Sequence, residues 1–239
     1  MNSAASAVVD AATPARAASA GAATSASASA VSPARVTPAL RARVQAAVAH
    51  YEAGRLAEAQ REFGSLAKTG VPAAQFNLGV MNLKGELPGA SVAEAERWLL
   101  LAARGGFVTA MFTLGRALEG GEFGRRDLPV AHDWYELAAQ RGSVEGMVAI
   151  GTAFYLGRGR AHDAAAAARW YREAARGGDI GAQYLIASMY ESGEGVPQDL
   201  RLAQYWYREA ARQGDDAAPA KVKEIERRLA AEAASPPGS

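Results

Sequence analysis

From Ala73 to Gly214 the apolar and small positions of the chain return every 36 residues. Trp98, Trp134, Trp170 and Trp206 form one series, and Gly85, Gly121, Gly157 and Gly193 a second. A third runs through Ala95, Ala131, Ala167 and Ala203 and reaches back to Ala59. A fourth, Gly106, Gly142, Gly178 and Gly214, reaches back to Gly70. Several residue types held in one register over four or five periods mark a repeat array, in which each unit buries its apolar face against its neighbours.

Within a period the pattern predicts two helices. Between Gly181 and Ser192, Tyr184, Ile186 or Ala187, and Tyr190 recur at helical spacing. From Leu200 to Gln213, Leu202, Ala203, Trp206 and Ala210 fall on one helical face. Ser91, Asp127, Asp163 and Asp199 precede the second helices and are suited to take an orphan backbone N–H as N-caps, with Ser91 and Glu94 spaced as a capping box. Gly106, Gly142, Gly178 and Gly214 stand where a helix ends in the left-handed conformation. Gly79, Gly115 and Gly151 lie midway along the first helices, with Ala187 in the fourth unit, and each glycine costs about 1 kcal/mol against alanine there. Such a repeated cost predicts close helix packing, with the second-helix tryptophan as the bulky partner. Trp98, Trp134, Trp170 and Trp206 are therefore expected in the core, and Tyr135, Tyr171 and Tyr207 half-buried between units. Truncating Trp170 to alanine is then expected to cost about 3–5 kcal/mol.

The ends read as ends. Thr37-Pro38 opens a degenerate unit over 37–70, with Tyr51, Gly54, Ala59, Phe63 and Ala67 but no tryptophan. Four full repeats follow over 71–214. A capping helix is expected over 215–234, with Val222, Ile225 and Leu229 on one face and Lys, Glu and Arg elsewhere. Residues 1–36, rich in alanine and serine, and 235–239 are expected to be disordered tails. The predicted fold is all-α: an α/α superhelical solenoid of about five helix-turn-helix repeats with a C-terminal capping helix.

The order Leu-Gly, then G-x-G-V-x-x-D, then A-x-x-W-x-x-x-A-A-x-x-G resembles the Sel-one-like repeat family, a relative of the tetratricopeptide repeats. The unit ending at Gly214 carries it nearly throughout, from Gly193-Glu194-Gly195-Val196 and Asp199 to Ala203, Trp206 and Ala210-Ala211. Gly157-Arg158-Gly159, Asp163, Ala167 and Trp170 match well, whereas Phe123 replaces the second loop glycine and Glu86-Leu87-Pro88-Gly89 fills the first loop. The resemblance implies a solenoid whose concave face binds other proteins. Members act as adaptors and scaffolds in bacterial envelope assembly, signalling and secretion, and in eukaryotic quality control. One bacterial subgroup is rich in cysteine, and this chain, with none, is unlike it.

Charge and candidate chemistry narrow the function further. The net charge is +1, with no basic cluster to neutralise a phosphate backbone, so nucleic acid is not an expected partner. The absence of cysteine excludes disulfides and thiolate metal sites. His50, His132 and His162 fall in different units and phases, which gives no metal-ligand spacing. Neither a phosphate loop nor a dinucleotide fingerprint is present, so Gly193-x-Gly195 reads as a helix-connecting turn. No Gly-x-Ser-x-Gly elbow occurs. No enzyme activity, cofactor or metal is expected. Neither a secretory signal nor a membrane span is legible, which favours the cytoplasm.

Function in a repeat array shows at the positions that break the repeat. Along the first helices a stripe at i, i+4, i+7 and i+11 varies freely between units. Asn77, Lys84, Thr113, Arg116, Glu145, Thr152 and Ser188 are the expected contacts for another protein or peptide in the concave groove, with Glu119 and Tyr155 beside them. The expected function is a non-enzymatic interaction scaffold or adaptor. The alternative is a regulatory module acting on an enzyme, signalling or secretion complex, with the N-terminal tail contributing.

Overall fold

The structure is a computed structural model that describes residues 37–234; the tails expected over 1–36 and 235–239 lie outside the described residues. Among the described residues there are eleven helices and no strand. First helices are α1 (Pro38–Glu52), α3 (Pro72–Leu83), α5 (Val108–Gly120), α7 (Val144–Leu156), α9 (Ile180–Ser192) and α11 (Ala218–Ala234). Second helices are α2 (Leu56–Lys68), α4 (Val92–Arg104), α6 (Leu128–Gln140), α8 (Ala164–Arg176) and α10 (Leu200–Arg212). The fold is thus the all-α helix-turn-helix array the periodicity predicts.

Local chemistry sets the helix limits. The side chains of Ser91, Asp163 and Asp199 accept backbone N–H groups at the starts of α4, α8 and α10, and Thr37, Ser143 and Asp179 do so for α1, α7 and α9. The Ser91 box closes on one side only, because the Glu94 carboxylate turns to Arg97 at 3.1 Å. At the far end, Gly106 adopts φ +88° and its N–H donates to Ala103 while Phe107 N–H donates to Ala102, which satisfies the last carbonyls of α4.

The chain divides into two compact units, one ending at Asp127 and the other beginning at Leu128. In the first, α1 to α5 pack in sequence order; in the second, α6 to α11 do. The core of the second unit gathers Ala167, Tyr171, Ile186, Tyr207 and Ile225, with Val222 and Leu229 of α11 packed against it.

One expectation is reversed. Trp98, Trp134, Trp170 and Trp206 are half-buried, and the following residue is the core residue: Leu99, Tyr135, Tyr171 and Tyr207 are 0–3% exposed. Ala95, Ala102 and Ala103 mark the buried face of α4; Leu99 sits near its centre, while Trp98, about 100° away, lies at its edge. A side chain as large as indole keeps one edge in solvent there. Leu202, placed on the buried face from spacing, is 40% exposed for the same reason of phase. The first-helix glycines follow suit. A Cβ on Gly79 would stand 2.7 Å from Leu99 Cγ, and one on Gly151 3.0 Å from the Tyr171 ring. The bulky partner that keeps these positions small is the residue after the tryptophan.

Candidate functional site

The stripe on the first helices is exposed at Lys84, Arg116, Glu145 and Ser188, and several of its polar groups are paired in clamps. In the first unit Lys84, at the C-terminal end of α3, donates to the Tyr51 hydroxyl at 2.9 Å, and Tyr51 donates to Glu86 at 3.0 Å. The hydrogen bond with Tyr51, and the nearby Glu86 carboxylate, raise the Lys84 pKa above the ordinary lysine value. Arg116 on α5 pairs with Glu122 at 2.9 Å. In the second unit Tyr155 on α7 donates to Glu194 at 3.1 Å. Glu86, Glu122 and Glu194 each follow the first glycine of a turn, so the recurring Gly-Glu dipeptide was a legible signal for the clamps.

The remaining expected contacts are distributed as follows. Asn77 is half-buried and spends its amide on Ala73 O at 2.8 Å. Thr113 is buried and its hydroxyl donates to Thr109 O, so it is a helix-internal group and offers no groove surface. Glu119 is half-buried. Glu145 is exposed and accepts from the Ser143 hydroxyl at 3.0 Å. Thr152 is half-buried, donates to Val148 O and accepts from the Tyr171 hydroxyl at 3.0 Å. Ser188 is exposed.

The stripe does not stop at α9. Lys221, Glu224 and Arg228 stand one period after Leu185, Ser188 and Ser192, so α11 carries the same stripe and is more than a polar cap. The 36-residue register contained this signal, hidden because the helix lacks the tryptophan and glycine landmarks. Glu191 links the two helices. Its carboxylate accepts from Tyr207 at 2.8 Å, Lys221 at 3.2 Å and Arg228 at 3.1 Å, and is 13% exposed. Burial, reinforced by the neighbouring Glu191 carboxylate, pushes the Tyr207 phenol well above the usual tyrosine range. Lys221, bonded to Glu224 and Glu191, is likewise raised.

Chemically this surface offers hydroxyl, ammonium, guanidinium and carboxylate groups, most already partnered within their own unit. That equips it for recognising polar groups of another chain. Among the described residues no cluster of three or more His, Asp or Glu side chains could hold a metal ion. No described helix is long and apolar enough to cross a membrane.

The Sel1 repeat pattern matches residues 72–107, 108–143, 144–179 and 180–215. Among solved structures, the chain is similar to a protective antigen from uropathogenic Escherichia coli that displays an SLR fold, at 32% identity and a TM-score of 0.73. That match covers 79% of this chain and 42% of the antigen's. A Sel1 repeat protein from Oxalobacter formigenes is also 32% identical, with a TM-score of 0.65, over 70% of this chain and 49% of that one. The chain therefore spans less than half the length of either. Among curated proteins none matches it. Sel1 repeat proteins are generally protein-interaction scaffolds and typically non-catalytic. Four contiguous repeats in one register, on a helix-pair frame shared with two solved members, make this chain a member of the Sel1 repeat family.

Proposed function

We propose that the chain is a non-enzymatic scaffold that binds an extended peptide or helix of a partner protein along the first-helix stripe. The observation that carries this reading is the contrast between frame and stripe. Leu99, Tyr135, Tyr171 and Tyr207 keep one place in the core from unit to unit. By contrast, Lys84, Gly120, Leu156, Ser192 and Arg228 succeed one another at a single stripe position. A frame that repeats and a surface that does not repeat suit one specific partner rather than general solvation. The Tyr51–Glu86, Arg116–Glu122 and Tyr155–Glu194 clamps support it by holding the polar groups in place before a partner arrives.

In this proposal each unit, the one ending at Asp127 and the one beginning at Leu128, contributes its own stretch of stripe. The test replaces Lys84, Arg116 and Ser188 by alanine and compares recovery of bound partner with that of the unchanged protein. Loss of recovery with an unchanged helical spectrum is expected. Full recovery by the folded triple variant would overturn the stripe assignment.

A further inference from the structure

A second surface, independent of the stripe, lies where one inter-helix seam lacks the closure that two others have. In each unit the turn that follows a first helix lies against the second helix of the preceding pair. In the second unit the α7–α8 turn places Arg160 there, bonded to Asp133 at 3.0 Å and Glu136 at 2.9 Å and lying over the Phe154 ring. In the first unit Arg125 of the α5–α6 turn pairs with Glu96 of α4. A turn arginine on a helix carboxylate thus closes the seam both times.

At the α3–α4 turn this closure is missing. Pro88 occupies the position of Arg160 two periods earlier. Gly64 takes the place of Glu136, and Arg61 that of Asp133, so the wall of α2 has lost its acids and gained a cation. What remains is an open cleft of about 720 Å³ between α2 and α4. Its apolar floor includes Leu78, Leu87 and Trp98, and its α2 wall carries Arg61, Ser65 and Lys68. A Cβ on Gly64 would meet nothing within 4 Å, so the space in front of it is open. The carboxylate lining the cleft, Glu94, is already bonded to Arg97. Arg61 and Lys68 are exposed and pair with no carboxylate among the described residues.

We propose that this cleft is a docking site for an acidic segment of a partner protein, with an apolar side chain on the Leu87–Trp98 floor and carboxylates on Arg61 and Lys68. The chemistry is that of the two arginine-closed seams with the signs exchanged: the helix supplies the cations, and the incoming chain supplies the acids. The chain's own N-terminal stretch does not fit that description, since residues 1–36 hold Asp10 as their one acid beside two arginines. Two cations over an apolar floor also favour a peptide over a phosphate backbone, which demands a longer basic track.

The test uses the full chain and a short fluorescein-labelled peptide of glutamates flanking one phenylalanine, read by fluorescence anisotropy. Binding is expected, weakening as salt is raised, and a control peptide with lysines for the glutamates should not bind. Arg61→Glu with Lys68→Glu, both at exposed positions, should weaken binding by at least about tenfold, the scale of one charge-assisted hydrogen bond. Gly64→Leu, which fills the cleft without reversing charge, should do the same, with circular dichroism confirming the fold. No binding, equal binding of the lysine peptide, or unchanged affinity in the folded variants would overturn the proposal. So would displacement of the peptide by an oligonucleotide of equal length. The Lys84, Arg116 and Ser188 triple variant should bind this peptide normally, so failure here and failure of the stripe assignment are distinguishable.

Discussion

At the scale of single residues, the one-place offset between tryptophan and its successor decides what holds each helix pair together. Tyr171 is 2% exposed and packs against Gly151, whereas Trp170 keeps one edge in solvent. Tyr171→Ala is therefore expected to cost about 3–5 kcal/mol as a large-to-small core change, and Trp170→Ala measurably less. Urea unfolding of the two variants ranks them, and an equal or reversed ranking would contradict the burial pattern. The tryptophan series was the most visible feature of the sequence and still pointed one residue away from the core centre. Spacing places a residue on a helical face to within one side-chain position; which of two adjacent large residues turns fully inward depends on the phase of the helix against the small residue opposite, such as Gly151 for Tyr171. Thr113 was misplaced for a related reason. A hydroxyl near the buried face is satisfied within its own helix, and the pattern alone does not separate that from an outward-facing one.

At the scale of elements, helix limits and pairing were legible because their causes are local: a capping side chain at one end, a left-handed glycine at the other. Of the clamps only the Gly-Glu half was legible, because Tyr51 and Tyr155 lie far from their partners along the chain. Tyr51 and Glu86 are separated by 35 positions, and Tyr155 and Glu194 by 39. The Glu191 hub shows what such long-range pairs contribute, since it holds Tyr207 of α10 and Lys221 and Arg228 of α11 on a single, largely buried carboxylate. Glu191→Ala leaves Arg228 and the Tyr207 phenol without this acceptor and Lys221 with Glu224 alone. It should destabilise the α11 end by about 1.5–3 kcal/mol, the usual scale for hydrogen bonds to a charged group. Amide hydrogen exchange should quicken in α11 and leave α2 and α3 unchanged; undisturbed protection in α11 would show that Ile225 packing alone retains the helix.

At the scale of the whole molecule, membership of the Sel1 repeat family was readable from the period, and the solved relatives bear it out. The open seam at Gly64 and Pro88 was not, because it appears only when the arginine closures at Glu96 and Glu136 are seen as contacts. Since every substantial helix contact joins sequence neighbours, removing one period should shorten the array without abolishing it. Deletion of residues 144–179 is expected to lower the helical signal roughly in proportion to the residues lost and to leave a cooperative transition. A chain that loses all helical structure would show that the periods depend on one another beyond their neighbours.

The neighbour-to-neighbour order of contacts also bears on how the chain is made. With no strand among the described residues to wait for a distant partner, loop closure costs little at each step. A helix pair that has left the ribosome already holds the surface on which its successor will settle. Synthesis and folding can therefore advance at the same pace, with apolar surface exposed only at the growing end.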